Sequence, residues 1–145
     1  MKKTLLAILL SAGVMLSAAA QDVKESDVPA AVKTNFKSAF SNAKDVEWKK
    51  KEGNYKAKFE INGTDYIAYY GADGKIISKG LKIRRSELPS AIADAVKSGY
   101  AGRTIDNVYR MDKNGSAYYL VKLEGDPDTK VLYTPDGQVA KEKVD

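Results

Sequence analysis

The chain has 145 residues, 43% of them hydrophobic and 30% charged, carries 24 Lys+Arg against 19 Asp+Glu for a formal charge of +5, and contains neither Cys nor His. Thiolate nucleophiles, imidazole bases, disulfides and Cys/His metal sites are therefore excluded, which leaves carboxylates, hydroxyls and amines as the groups for any chemistry. The length and the balance of apolar to charged residues suit one globular domain.

Met1-Lys2-Lys3 is basic, Thr4 to Leu16 is apolar apart from Ser11 and Gly13, and Ala18-Ala19-Ala20 closes the stretch with small residues. This is the pattern of a secretory signal peptide over 1–20, and it predicts a periplasmic or secreted product cleaved near Ala20. The apolar run is shorter than the roughly 20 residues a spanning helix needs, so no stable membrane insertion is expected after cleavage. Loss of Lys2 and Lys3 lowers the charge to +3. Lys49-Lys50-Lys51 and the Lys82 to Arg85 stretch then read as a solvated strand end and a solvated linker, and no nucleic-acid partner is expected.

Beyond the leader, Val28, Val32, Phe36, Ala39 and Phe40 draw one apolar stripe at helical spacing, with Pro29 suited to the first turn. After Asn42 the period changes to two. Val46 to Lys50 is a first strand, and Tyr55, Ala57, Phe59 and Ile61 alternate with Lys56, Lys58 and Glu60 in a second. Asn62-Gly63 supplies a two-residue hairpin turn into Thr64 to Tyr70, and Asp73-Gly74 turns the chain into Lys75 to Lys79.

The scheme then starts again. Glu87-Leu88-Pro89-Ser90-Ala91-Ile92 repeats Asp27-Val28-Pro29-Ala30-Ala31-Val32 at an offset of 60, and Pro135-Asp136-Gly137-Gln138 repeats Ala72-Asp73-Gly74-Lys75 at 63. A helix carrying Leu88, Ile92, Ala95, Val96 and Tyr100 precedes strands at Asp106 to Asp112, Ala117 to Glu124, Thr129 to Thr134 and Gln138 to Lys143. The fold class is α+β: a tandem repeat of two α-β4 units, 21–83 and 84–145, each an antiparallel four-stranded sheet with one helix packed on one face. Lys79 to Arg85 is too apolar and too poor in Gly/Ser for a flexible linker, so it is expected to lie as a strand at the seam. The two sheets then form one larger curved sheet with both helices on one side.

Alternation assigns Val46, Trp48, Ala57, Phe59, Tyr66, Ala68 and Tyr70 to the helix side of the first copy, and Val108, Tyr119, Val121, Leu123, Val131 and Tyr133 to that of the second. The opposite parity puts Lys56, Lys58, Ile67, Tyr69, Tyr109, Tyr118, Leu120, Lys122 and Leu132 on a face expected to be open to solvent. Tyr offers rigid contact area and Lys offers steering, so these nine are the candidate partner-binding residues. No catalytic, cofactor-binding or metal-binding residues are assigned. Glu124, Asp126 and Asp128 lack the Asp-x-Asp-x-Asp-Gly loop of a calcium site, nothing sets a working separation between Glu47 and Glu60, and Lys37-Ser38 and Lys97-Ser98 point apart on their helices.

Together the Val28-Pro29 and Leu88-Pro89 openings, the Asn42 to Trp48 segment, the Tyr55 to Ile61 strand with Asn62-Gly63 and the repeated Asp-Gly turn resemble the PepSY-like proteins, small exported bacterial proteins also likened to beta-lactamase inhibitory protein. The resemblance implies two α-β4 repeats side by side, and a sheet surface that grips a partner protein in beta-lactamase inhibitory protein. It implies no enzymatic activity and no catalytic set. Copy two departs from the pattern, with Arg110 in place of Trp48 and Asp126-Pro127-Asp128 in place of Asn62-Gly63. The expected function is an exported, non-enzymatic binding module that takes a protein or peptide, such as a peptidase or other hydrolase, on the Tyr/Lys face. The alternative is a periplasmic binder of small ligands or glycans, since Tyr and Trp also stack on sugar rings.

Overall fold

The computed structural model describes residues 20–142 and 144; the leader expected over 1–20 therefore lies, apart from Ala20, outside the described residues. Among the described residues no helix is long and apolar enough to cross a membrane. Chain order is β1 (Gln21–Val23), α1 (Ala30–Ala39), β2 (Lys44–Lys51), β3 (Asn54–Ile61), β4 (Thr64–Gly71), β5 (Ile76–Ile83), α2 (Ser90–Gly99), β6 (Ile105–Lys113), β7 (Ser116–Leu123), β8 (Thr129–Tyr133) and β9 (Val139–Glu142). A short 3₁₀ turn precedes each helix, and Pro29 and Pro89 stand at the N-caps, one position before the expected first turn.

The nine strands form one antiparallel sheet in sequential order. Its tight hairpins follow from their turn residues: Glu52-Gly53, Asn62-Gly63 and Asn114-Gly115 each place two successive residues at positive φ, the backbone that matches the right-handed twist of the flanking strands. The seam strand β5 pairs on one side with β4, through Tyr66↔Leu81 and Ala68↔Lys79, and on the other with β6, through Leu81↔Arg110 and Ile83↔Val108. These registers put Tyr66, Ala68, Leu81, Arg110 and Val108 on one face, so both helices cover the same side.

Two cores lie under the helices. Val32 and Phe36 of α1 pack on Trp48, Ala57, Phe59, Ala68 and Tyr70, with the Phe36 ring 4.9 Å from Phe59 and 5.1 Å from Trp48 in edge-on geometry. Ile92 and Val96 of α2 pack on Val108, Val121, Leu123, Val131 and Tyr133, with Tyr119 half-buried beside them. Asn35 Nδ2 donates to the Gly74 carbonyl at 2.5 Å, tying the middle of α1 to the β4–β5 turn.

Three expectations are corrected. β1 is an additional strand, registered on β2 from Gln21↔Lys50 to Val23↔Trp48, and three residues are too few to show a period. Val46 is 36% exposed instead of buried, because the register shifts between Lys44 and Glu47 and Asp45 takes φ 53°, a bulge that breaks the alternation there. The third concerns the face away from the helices. It is not open: Ile67 (2% exposed), Tyr109 (7%), Met111 (4%) and Leu120 (4%) form a third buried cluster, with Tyr69, Tyr118, Leu132 and Val144 against it.

Curvature explains that cluster. In a flat sheet β3 and β8 would stand five strand spacings, about 24 Å, apart. Yet Lys56 on β3 lines one cavity of about 220 Å³ together with Leu132 on β8 and Lys141 on β9, an approach that a flat sheet does not allow. The sheet is coiled, concave on the side away from the helices. Gly80 lies at the middle of this coil: in the row Ile67, Gly80, Met111 it contributes no side chain, so the strands on either side can lean over it. A Cβ there would overlap the Arg110 carbonyl oxygen and the Met111 sulfur.

Candidate binding face

Of the nine candidate residues, Ile67, Tyr109 and Leu120 are buried in the floor of the concavity; Tyr69, Tyr118 and Leu132 are half-buried around them. Lys56 and Lys122 are half-buried nearer its rim, and Lys58 is exposed. Tyr69 of the first repeat and Tyr118 of the second pack against one cluster, so the face is composite. The nine share one face, but the buried three are scaffold and cannot be reached without opening it.

Between floor and rim lies a cavity of about 220 Å³, walled by Tyr69, Met111, Tyr118, Leu120 and Leu132 below and by Lys49, Lys51, Lys56, Lys113 and Lys141 around. Drug-sized ligands occupy roughly 300–1,000 Å³, so this cavity suits one side chain or one compact headgroup. Met111 and Lys130 are the residues missed from sequence. Met111 shares the parity of Tyr109 on β6, and Lys130 that of Leu132 on β8; both were legible from the alternation that selected their neighbours.

Electrostatics single out the rim. Burial, then repulsion from Lys130, lowers Lys56 from 10.5 to about 7, while its Nζ sits 5.8 Å from the centre of the Tyr69 ring. Lys130 is lowered as well, chiefly by burial and by Lys122. Burial raises the Tyr69 hydroxyl above its usual range, with Tyr109 adding to the effect. Two lysines pressed together in an apolar surround hold fewer protons than free lysines do. Two neighbouring cations have acidic partners: Lys122 pairs with Asp106 at 3.2 Å and Asp128 at 3.8 Å, and Lys49 with Asp22 at 3.8 Å.

The acidic loop between β7 and β8 is organised from within. Asp128 accepts from the Gly125 N–H at 2.9 Å, while Arg103 donates to Glu124 O, Pro127 O and Thr129 Oγ1 at 2.9–3.0 Å. Among the described residues no three acidic side chains are grouped to hold a metal ion.

Two helices backing one coiled antiparallel sheet, built from two repeats with aromatic and lysine side chains on the concave face, define the fold class. The chain belongs to the PepSY-like family, described as beta-lactamase-inhibitor-like, whose model matches residues 14–78 and again 74–141. Similar solved structures come from Bacteroides. A chain from B. eggerthii, described as periplasmic, is 20% identical with a TM-score of 0.63, over 79% of this chain and 87% of that one. A DUF2874 family protein from B. ovatus is 26% identical with a TM-score of 0.59, over 79% and 85%. A BLIP-like protein from B. fragilis is 21% identical with a TM-score of 0.56, again over 79% and 85%. No curated protein matches the chain.

Proposed function

We propose that the protein is an exported, non-enzymatic binding module whose concave sheet face receives a protein or peptide partner, with one partner side chain entering the cavity between the two repeats. The observation that carries this is the cavity itself: an aromatic and apolar floor built jointly by both repeats, under a rim of lysines. Tyr69, Tyr118 and Leu132 offer half-exposed contact area, and Lys56, Lys58 and Lys122 supply steering; Ile67, Tyr109 and Leu120 hold the floor rigid. Units 21–83 and 84–145 act as two halves of one site. The family's likeness to an inhibitor supports a peptidase or other hydrolase as the partner class.

A Tyr69→Ala/Tyr118→Ala variant tests the assignment in pull-downs from periplasm. A partner retained by the wild type and lost by the folded variant is expected; equal recovery of every partner by both refutes it. A small-ligand or glycan role predicts instead a melting temperature raised by glycans that the same variant does not share.

A further inference from the structure

We propose that β9 and Val144 form a displaceable strap over the concave face: Val144 occupies a seat on the apolar floor that a partner's apolar side chain takes over on binding. This rests on the concave face being the binding face and adds how access to it is controlled.

The tail leaves the pattern of the repeats to reach this seat. At the offset of 63 that matches the two Asp-Gly turns, Val144 corresponds to Leu81, whose pairing with Tyr66 and Arg110 puts it on the helix side of the sheet. Val144 lies on the other side. It packs against the cluster of Ile67, Tyr109, Met111 and Leu120, borders the cavity of about 220 Å³ together with Leu132, and its N–H donates to the Lys130 carbonyl at 3.0 Å.

The attachment of the strap is slight beside that of the floor. β9 is the outermost strand and all four of its residues are exposed. It meets β8 at three positions, Val131↔Glu142, Leu132↔Lys141 and Tyr133↔Val139, with a break in register before the last. A side-chain hydrogen bond from the Tyr100 hydroxyl to Glu142 Oε1, at 3.1 Å, ties it to the C-cap of α2. A short edge strand of this kind opens at lower free energy than the interior strands that carry the floor. Val144 meanwhile shields apolar surface that water would otherwise meet. A partner's apolar side chain regains the contact area that Val144 gives up, so one replaces the other at little cost, whereas water gains nothing by displacing it. The cavity lining adds five lysines and one acid, Glu52, so an apolar group carrying a negative charge is a fitting probe.

The test uses the full protein and the aromatic anion anilinonaphthalene sulfonate (ANS). Fluorescence titration compares the wild type with Val144→Gly, and NMR follows exchange of the Val144 amide in the wild type. The seated valine competes with the dye, so wild-type affinity is reduced by the fraction of molecules in which the strap is open; Val144→Gly is expected to bind ANS about tenfold more tightly. In the free wild type the Val144 amide should be protected, and saturating ANS should speed its exchange by at least about tenfold. Equal ANS affinity for the two proteins, an unprotected Val144 amide in the free protein, or an exchange rate that ANS leaves unchanged overturns the strap. So does loss of the cooperative urea transition in Val144→Gly, which would make the tail a part of the core. Failure of the underlying face assignment looks different: Val144→Gly then keeps its gain in affinity when Tyr69→Ala and Tyr118→Ala are added, because the dye sits elsewhere.

Discussion

Replacing Lys56 by Met should stabilise the protein while weakening its binding rim. In the unfolded chain Lys56 titrates near its usual 10.5; in the fold it titrates near 7 because burial and Lys130 disfavour the ammonium. Between these values the unfolded state holds a proton that the folded state does not, so stability rises with pH across that window. Below pH 7 the folded protein must carry the charge in its unfavourable surround, and the penalty is at its full value. At about 1.36 kcal/mol per unit the shift corresponds to roughly 5 kcal/mol as an upper bound; Lys56 is only half-buried and water screens it, which brings the expected effect to about 1–3 kcal/mol. Loss of the contact with the Tyr69 ring subtracts about 0.5 kcal/mol. Denaturant unfolding at pH 6.5, 8 and 9.5 measures the difference, in which other titrating groups cancel. Lys56→Met should be more stable by about 1–2 kcal/mol at pH 6.5, or several degrees in Tm for a domain of this size, with the gap shrinking steadily towards pH 9.5. A variant equal to or less stable than wild type at pH 6.5, or a gap independent of pH, would refute the account of Lys56.

Other consequences follow from the packing. The hydroxyls of Tyr70 and Tyr133, at matching positions in the two repeats, are buried with no hydrogen-bond partner among the described residues, and burial raises Tyr70 to about 12. Tyr70→Phe and Tyr133→Phe should therefore each leave thermal stability unchanged or raise it by about 1 kcal/mol, where loss of a bonded tyrosine would lower it. Gly80→Ala, forced against the Arg110 carbonyl at the seam, should cost about 1–3 kcal/mol and raise exchange of the β5–β6 amides in hydrogen-exchange experiments; a neutral result would contradict the close approach. Because β5 is shared by both halves, the fluorescence of Trp48 in the first repeat and amide exchange within β7 in the second should report one coincident unfolding transition in urea.

Much of this architecture is legible in the sequence, since each helix shows a clear apolar stripe, the strands alternate, and Asn62-Gly63 and the Asp-Gly turns mark the reversals. Even the seam could be anticipated from the apolar character of Leu81 and Ile83 flanking Gly80. What alternation cannot supply is curvature. Parity says which side chains share a face, but not that β3 and β8 approach one another; hence Ile67, Tyr109 and Leu120 read as exposed contact residues when they are a third core. Gly80 suggests backbone freedom in sequence, whereas its role is the absence of a side chain where Ile67 and Met111 lean together. The bulge at Asp45 moves Val46 outward because one residue in the left-handed region is enough to break a two-residue period, and no glycine marks it.

The two repeats coil into one concave face, which brings β3, with Lys56, towards β8, with Lys130. Brief treatment of the folded monomer at pH 8 with a short bis-succinimidyl ester, followed by peptide mass spectrometry, tests it directly, because the neutral Lys56 amine is then the reactive form. The account predicts a prominent intramolecular Lys56–Lys130 crosslink that disappears in denaturant. Crosslinks confined to same-repeat neighbours such as Lys49–Lys56 and Lys122–Lys130, with none between β3 and β8, would contradict it.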